Sequence, residues 1–143
     1  MKLIKIIGHP VLVMSMFLLL MISGESFGGF YLLFLLLGLP HGVPHTVFAL
    51  IGLIAMFTGY KIYRKQFNPL KTLLYVIGNA LMICALITFF ADSKGYTYST
   101  FHQSVPLISF SIFGLCVFCN LLSSVLLVVK RTNKDDEHLR VAS

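Results

Sequence analysis

Gly38-Leu39-Pro40-His41-Gly42-Val43-Pro44-His45 interrupts an apolar run that otherwise extends from Phe27 to Thr58. Pro40, Gly42 and Pro44 break any helix there, because proline has no amide proton and restricts the residue before it. The fold turns on what this break separates. If residues 27–43 cross a membrane by themselves, the chain has five spans. If the break is a corner near one surface, it has four.

Length argues for the corner. Phe27–Leu37 is apolar on every side but rises only about 18 Å as a helix, short of the roughly 30 Å of hydrocarbon that a span must cover. It also lacks the polar face of an interfacial helix.

Charge argues the same way. With four spans, Lys2, Lys5, Lys61, Arg64, Lys65, Lys71, Lys130, Arg131, Lys134 and Arg140 fall on the side of both termini, and only Lys94 falls opposite. Five spans would move the C-terminal cluster and the Lys61–Lys71 group away from the N-terminus. Cytoplasmic loops carry the excess of Lys and Arg. The expectation is therefore four spans with both termini cytoplasmic.

The composition places the whole chain in this class. Of 143 residues, 57% are hydrophobic and 11% are charged, against about 25% charged in soluble domains. The mean hydropathy is +0.90. The expected fold class is an all-α integral membrane protein in one domain. Its spans are about 6–23, 45–63, 70–91 and 105–129. A short apolar helix at about 27–37, re-entrant or interfacial, lies between the first two, and a polar tail covers 130–143. The net charge of +6 sits at segment ends, as insertion requires, so it does not indicate nucleic acid. Lys2 and Lys5 with a short tail suit a bacterial plasma membrane.

The first segment resembles a secretory signal peptide, with Lys2 and Lys5 before an apolar run and small residues at Ser23-Gly24-Glu25-Ser26. We read it as the first span, with Pro10 in its first turn, where proline is tolerated. Asn68-Pro69 reads as an inner turn. Ser104 with Pro106 reads as a helix start.

Few residues suggest chemistry. His41 and His45 flank the break and His102 closes the outer loop, near Glu25 and Asp92. Imidazoles gathered there are candidates for a transition metal or a haem axial ligand. Their bland reading is amphipathic rings finishing an interfacial turn. The half-helix opening at Pro44 is a candidate for anion or substrate binding. Cys116-x-x-Cys119 lies roughly 15 Å into the fourth span, too deep for an activated thiol, so both cysteines and Cys84 read as packing residues. Asn79, Gly114, Asn120 and Ser123 read as helix-packing positions, since small residues allow close approach and amides bond across helices.

No acidic or basic residue falls in the middle of any span, whereas ion-coupled carriers keep one at depth. No nucleophile motif or phosphate-binding loop appears. The expectation is a non-enzymatic subunit of a larger membrane complex, or a homo-oligomer, with the bilayer and other membrane subunits as partners and no cofactor. The alternative is a small transporter or a metal- or haem-binding protein with its site at the outer face around Pro40–Pro44.

Overall fold

A computed structural model of the chain describes residues 2–23, 28–62, 69–92 and 100–141. It is predominantly helical. The expectations for Glu25, the outer loop at 93–99 and the inner turn at Asn68 fall outside the described residues.

The first segment departs from the expected single helix over 6–23. It consists of α1 (Lys2–Ile7), a break, α2 (Pro10–Leu18) and a strand β1 (Met21–Ser23). The break follows from Pro10, which pushes the residue before it out of helical backbone. His9 accordingly sits at φ −67°, ψ 130°. Pro10 then opens α2, where its missing amide proton costs nothing, and the His9 carbonyl accepts from the Val13 N–H at 3.0 Å.

The short apolar helix also starts later than expected. Residues 28–30 form β2 (Gly28–Phe30), antiparallel to β1 with Met21 opposite Phe30 and Ser23 opposite Gly28. Gly28 and Gly29 favour this, since glycine loses most entropy in a helix. Helix α3 is therefore Tyr31–Gly38. A 3-10 turn, Leu39–His41, follows, and Gly42 adopts φ 62°, a left-handed conformation suited to glycine. The chain turns by 112° between residues 31–41 and 44–61. Gly38 makes that corner tight: a Cβ there would lie 2.5 Å from the Thr46 methyl.

Helix α4 (Pro44–Ile62) pairs with α5 (Pro69–Asp92). They run antiparallel and close, because glycines face each other. A Cβ on Gly52 would lie 3.0 Å from the Gly78 carbonyl oxygen, and one on Gly78 would lie 2.6 Å from Met56 Cγ. Helix α6 (Ser104–Val141) continues past the expected span end at 129. The polar tail expected at 130–143 is thus helical to Val141, since 130–141 contains no glycine or proline to stop it.

Two helices are long and apolar enough to cross a membrane alone, α5 with mean hydropathy 2.3 and Ser104–Leu126 of α6 with 2.2. The bent pair of α3 and α4 is a third candidate by length and composition.

The core has two parts. Near β1 it is aromatic. Tyr31 is fully buried, with its ring edge-on to Phe17 at 5.2 Å and to Phe89 at 5.4 Å, and its hydroxyl donates to the Ala85 carbonyl at 3.4 Å. Near the Gly8–His9 break it is polar. Asn79 and Asn120 are each 1% exposed. Asn79 Nδ2 donates to Asn120 Oδ1 at 2.9 Å, and Asn120 Nδ2 donates to the Gly8 carbonyl at 2.6 Å.

Asn120→Ala removes both bonds and leaves the Gly8 carbonyl without its donor. At roughly 0.6–1.7 kcal/mol per interhelical bond in a bilayer, the expected cost is about 1–3 kcal/mol. Denaturant titration of the purified protein in detergent measures it; an unchanged midpoint would show that the bonds hold nothing.

Candidate functional site

The outer break does not assemble the three candidate histidines. His41 ends the 3-10 turn, exposed, with Nδ1 3.0 Å from the Leu37 carbonyl oxygen. His102 is exposed on a helical turn at 100–102. His45 alone goes inside. It is 8% exposed in the first turn of α4, edge-on to Phe89 at 5.1 Å and near Tyr31 at 6.3 Å. Neither of its ring nitrogens has a hydrogen-bond partner. Among the described residues, no three of His, Cys, Asp and Glu come together as a metal site.

The backbone at this end is bonded by side chains from elsewhere. The Met21 N–H donates to Ser109 Oγ at 3.1 Å. Ser23 and Thr100 bond twice: the Ser23 N–H donates to Thr100 Oγ1 at 3.2 Å, and the Thr100 hydroxyl donates to the Ser23 carbonyl at 2.7 Å. The Tyr31 N–H donates to the Leu20 carbonyl at 2.7 Å. Non-helical backbone at apolar depth needs such partners.

The second break carries a site that the sequence reading missed. Where α1 and α2 part at Gly8–His9, a cavity of about 340 Å³ opens between them, the adjoining ends of α4 and α5, and the middle of α6. Lys5 comes from α1, His9 from the break and Lys71 from the first turn of α5. Tyr60, Tyr75 and Ser123 add hydroxyls. The His9 ring stands edge-on to Tyr60 at 5.3 Å, and Lys71 Nζ lies 5.7 Å from the centre of the Tyr75 ring. Among the described lining residues none is acidic.

The floor of this cavity is the polar network. Gly8 permits it: a Cβ there would lie 2.6 Å from the Asn120 backbone nitrogen, so the break packs directly on α6. Ser123 and Ser124 both donate to the Asn120 carbonyl at 2.9 Å. Of the residues read as packing positions, Asn79, Asn120 and Ser123 meet here. Gly114 stands apart, with nothing within 4 Å of where its Cβ would be.

Chemically, the cavity offers ammonium, imidazole and hydroxyl groups at the edge of an apolar body, a donor set suited to an anion. One signal in the sequence pointed to it. Gly8-His9-Pro10 is a helix breaker inside an apolar run, of the same kind as the break at Pro40–Pro44. Lys5 and Lys71 were read only as insertion signals.

Cys116 and Cys119 are buried and Cys84 is exposed, all as free thiols. Cys116 packs in the core cluster with Phe113 and Val117.

His45→Phe replaces two unbonded buried nitrogens by carbon in a similar shape. The expected change in stability is within about 1 kcal/mol, because removing an unsatisfied polar group offsets imperfect packing. Thermal unfolding measures it, and a loss beyond about 3 kcal/mol would mean that the ring is hydrogen-bonded or ligated.

Comparison of the chain with protein-family models, with curated proteins and with solved structures finds no match.

Proposed function

We propose that the chain is a non-catalytic, multi-pass membrane protein that acts by association, as an accessory subunit of a larger membrane complex or as a homo-oligomer. The observation that carries this reading is α3. It is eight residues long, too short to cross, and it is held at 112° to the α4 direction. Tyr31 and Leu35 anchor its inner side. Leu32, Leu33, Leu36 and Leu37 remain between 38% and 65% exposed. Leucines presented on a rigid corner, across the bundle instead of along it, form a surface for a partner helix.

In this reading the chain crosses four times. The first crossing is composite: α1, α2 and β1 rise together by about 30 Å, enough for the hydrocarbon layer. Helices α4, α5 and α6 make the others, and α3 lies at the outer side, dipping into that leaflet or resting on it. Ten of the eleven Lys and Arg residues then share the side of both termini. The positive-inside rule makes that side cytoplasmic, in a bacterial plasma membrane.

A second reading places a ligand, a metal, haem or transported solute, at the outer break. His45 favours it, because an unpartnered buried imidazole is a ready ligand. Titration of the purified protein with zinc, and separately with haemin, tests it. Stoichiometric binding that His45→Ala abolishes would establish this reading, and no binding would remove it.

The main proposal gives two expected outcomes. An alkaline phosphatase fused after Thr97 is active in cells and one fused after Ser143 is inactive; the reverse pattern would overturn the orientation. In mild detergent the native protein migrates with a stoichiometric partner or with itself. Leu36→Asn, at an exposed position, changes stability by about 0.5 kcal/mol or less and dissociates that assembly. A monomer that co-purifies with nothing would end the association reading.

A further inference from the structure

We propose that the corner between α3 and α4 is a proton-operated switch, closed on a neutral His45 and opened when that ring takes up a proton. The starting point is what the imidazole lacks. A neutral ring carries one N–H donor and one acceptor nitrogen, and an imidazolium carries two donors. His45 is buried, and neither of its ring nitrogens has a hydrogen-bond partner. The neutral ring forgoes two hydrogen bonds in this place. A cation would forgo them and bring an uncompensated charge as well, which costs far more. The ring also sits in the first turn of α4, at the positive end of that helix dipole, where a cation is disfavoured. The buried position therefore suits the neutral form alone.

Location makes the ring a mechanical part. A Cβ on Gly38 would lie 3.5 Å from Nε2 and 3.7 Å from Cε1 of His45, so the end of α3 rests on the imidazole. Two backbone hydrogen bonds of the corner are long. The Gly42 N–H donates to the Leu39 carbonyl at 3.3 Å and the Val43 N–H to the Gly38 carbonyl at 3.4 Å, beyond the usual range of roughly 2.7–3.2 Å. Gly38 and Gly42 give this stretch the freedom of a hinge. The other end of α3 is pinned, because the Tyr31 N–H donates to Leu20 at 2.7 Å and its hydroxyl to Ala85. A ring that leaves its place under Gly38 thus frees one end of α3 while Tyr31 stays. A charged ring has a partner outside: Asp92 is exposed one helical turn beyond Phe89 on the same side of α5, and its carboxylate acts on His45. Among the described residues, the other titratable groups of the elements packed here are Tyr31, bonded to Ala85, and His41, exposed with Nδ1 3.0 Å from the Leu37 carbonyl oxygen. The switch stands on this corner whether or not α3 is an association surface. Only the side from which the proton arrives rests on the orientation proposed above.

The experiment uses the full-length protein in detergent, where orientation plays no part. The chain has no tryptophan, so Leu37→Trp puts a single fluorescent donor on α3. Cys84 is exposed while Cys116 and Cys119 are buried, so a maleimide acceptor on Cys84 marks α5. Unlabelled protein in excess ensures that energy transfer is read within one chain and not across an assembly. Transfer is expected to be steady above about pH 7 and to change reversibly below about pH 6.5, where an exposed imidazole titrates. With the closed form holding the ring neutral, the ratio of open to closed corners rises about thirtyfold between about pH 8 and about pH 5. His45→Phe abolishes the change, as does His45→Leu should the larger ring not fit, while His41→Gln and His102→Gln keep it. Nitrogen NMR of the histidine-labelled protein is expected to show the His45 ring taking up its proton at the same midpoint as the transfer change. Transfer that stays constant over this range, a change that survives in both His45 variants, or a His45 ring that protonates without any change in transfer would each overturn the proposal.

Discussion

One carbonyl group governs the architecture. Gly8 follows α1, Pro10 turns His9 to extended backbone, and the carbonyl of the buried Gly8 accepts from a side chain of α6 instead of from its own helix. A peptide oxygen left there without a donor costs several kcal/mol. Asn120 supplies the donor at 2.6 Å, and Asn79 holds Asn120 in place at 2.9 Å. Three separate stretches of chain thereby meet at one point. The same contact requires glycine at position 8, since α6 backbone occupies the space of a side chain. The kink, the amide pair and the glycine depend on one another, and the cavity beside them is the space left where α1 diverges from α2.

The far end of the same segment is held by the same helix. Asn120 binds residue 8 and Ser109 binds residue 21. Eleven residues separate these two side chains on α6, which is close to three whole turns, so both lie on one face about 16 Å apart. Phe113 and Cys116 fill the stripe between them and are buried. The N-terminal segment is thus laid along α6 with a polar tether at each end and apolar packing between. This arrangement accommodates a first segment that is neither one helix nor one strand, since its backbone is bonded by side chains at Gly8, Met21 and Ser23.

The sequence made some of this legible and hid the rest for definable reasons. Helices α4, α5 and the start of α6 follow from long apolar runs with polar ends, and their observed limits fall within a residue or so of the runs. Asn79 and Asn120 stood out because amides inside apolar helices are rare. The break at Gly8–His9 was hidden by its position: a proline early in an apolar run is compatible with an unbroken first turn, and only tertiary contact with α6 shows that the helix stops instead. Strands β1 and β2 have three residues each, too short for any alternation to register. Gly114 was read from its size alone, whereas glycine matters where two backbones meet, and here those positions are Gly8, Gly52 and Gly78. The histidines drew attention by residue type; burial, which sequence does not display, separates His45 from His41 and His102.

In a chain of this composition apolar exposure alone carries little information, since every helix exposes large apolar side chains; α3 is set apart by its direction, not by its exposure. What distinguishes one part of the molecule from another is how its polar groups are used. At the outer break, Ser109, Thr100 and Ser23 satisfy backbone at close range, and His45 is walled in by Phe89 and Tyr31. That end is finished as a shape, a corner that holds α3 outward. At the Gly8–His9 break the amides are also committed to backbone and to each other, but Lys5, His9 and Lys71 surround open volume. Buried side-chain atoms without a hydrogen-bond partner occur at both ends, the His45 ring nitrogens at the outer one and Asn79 Oδ1 at this one. The exposed leucines of α3 and the cavity lined by Lys5, His9 and Lys71 are therefore separate features of the fold. The stripe of α6 from Ser109 to Asn120 joins the two ends, because the N-terminal segment is bonded to it at residue 21 and at residue 8.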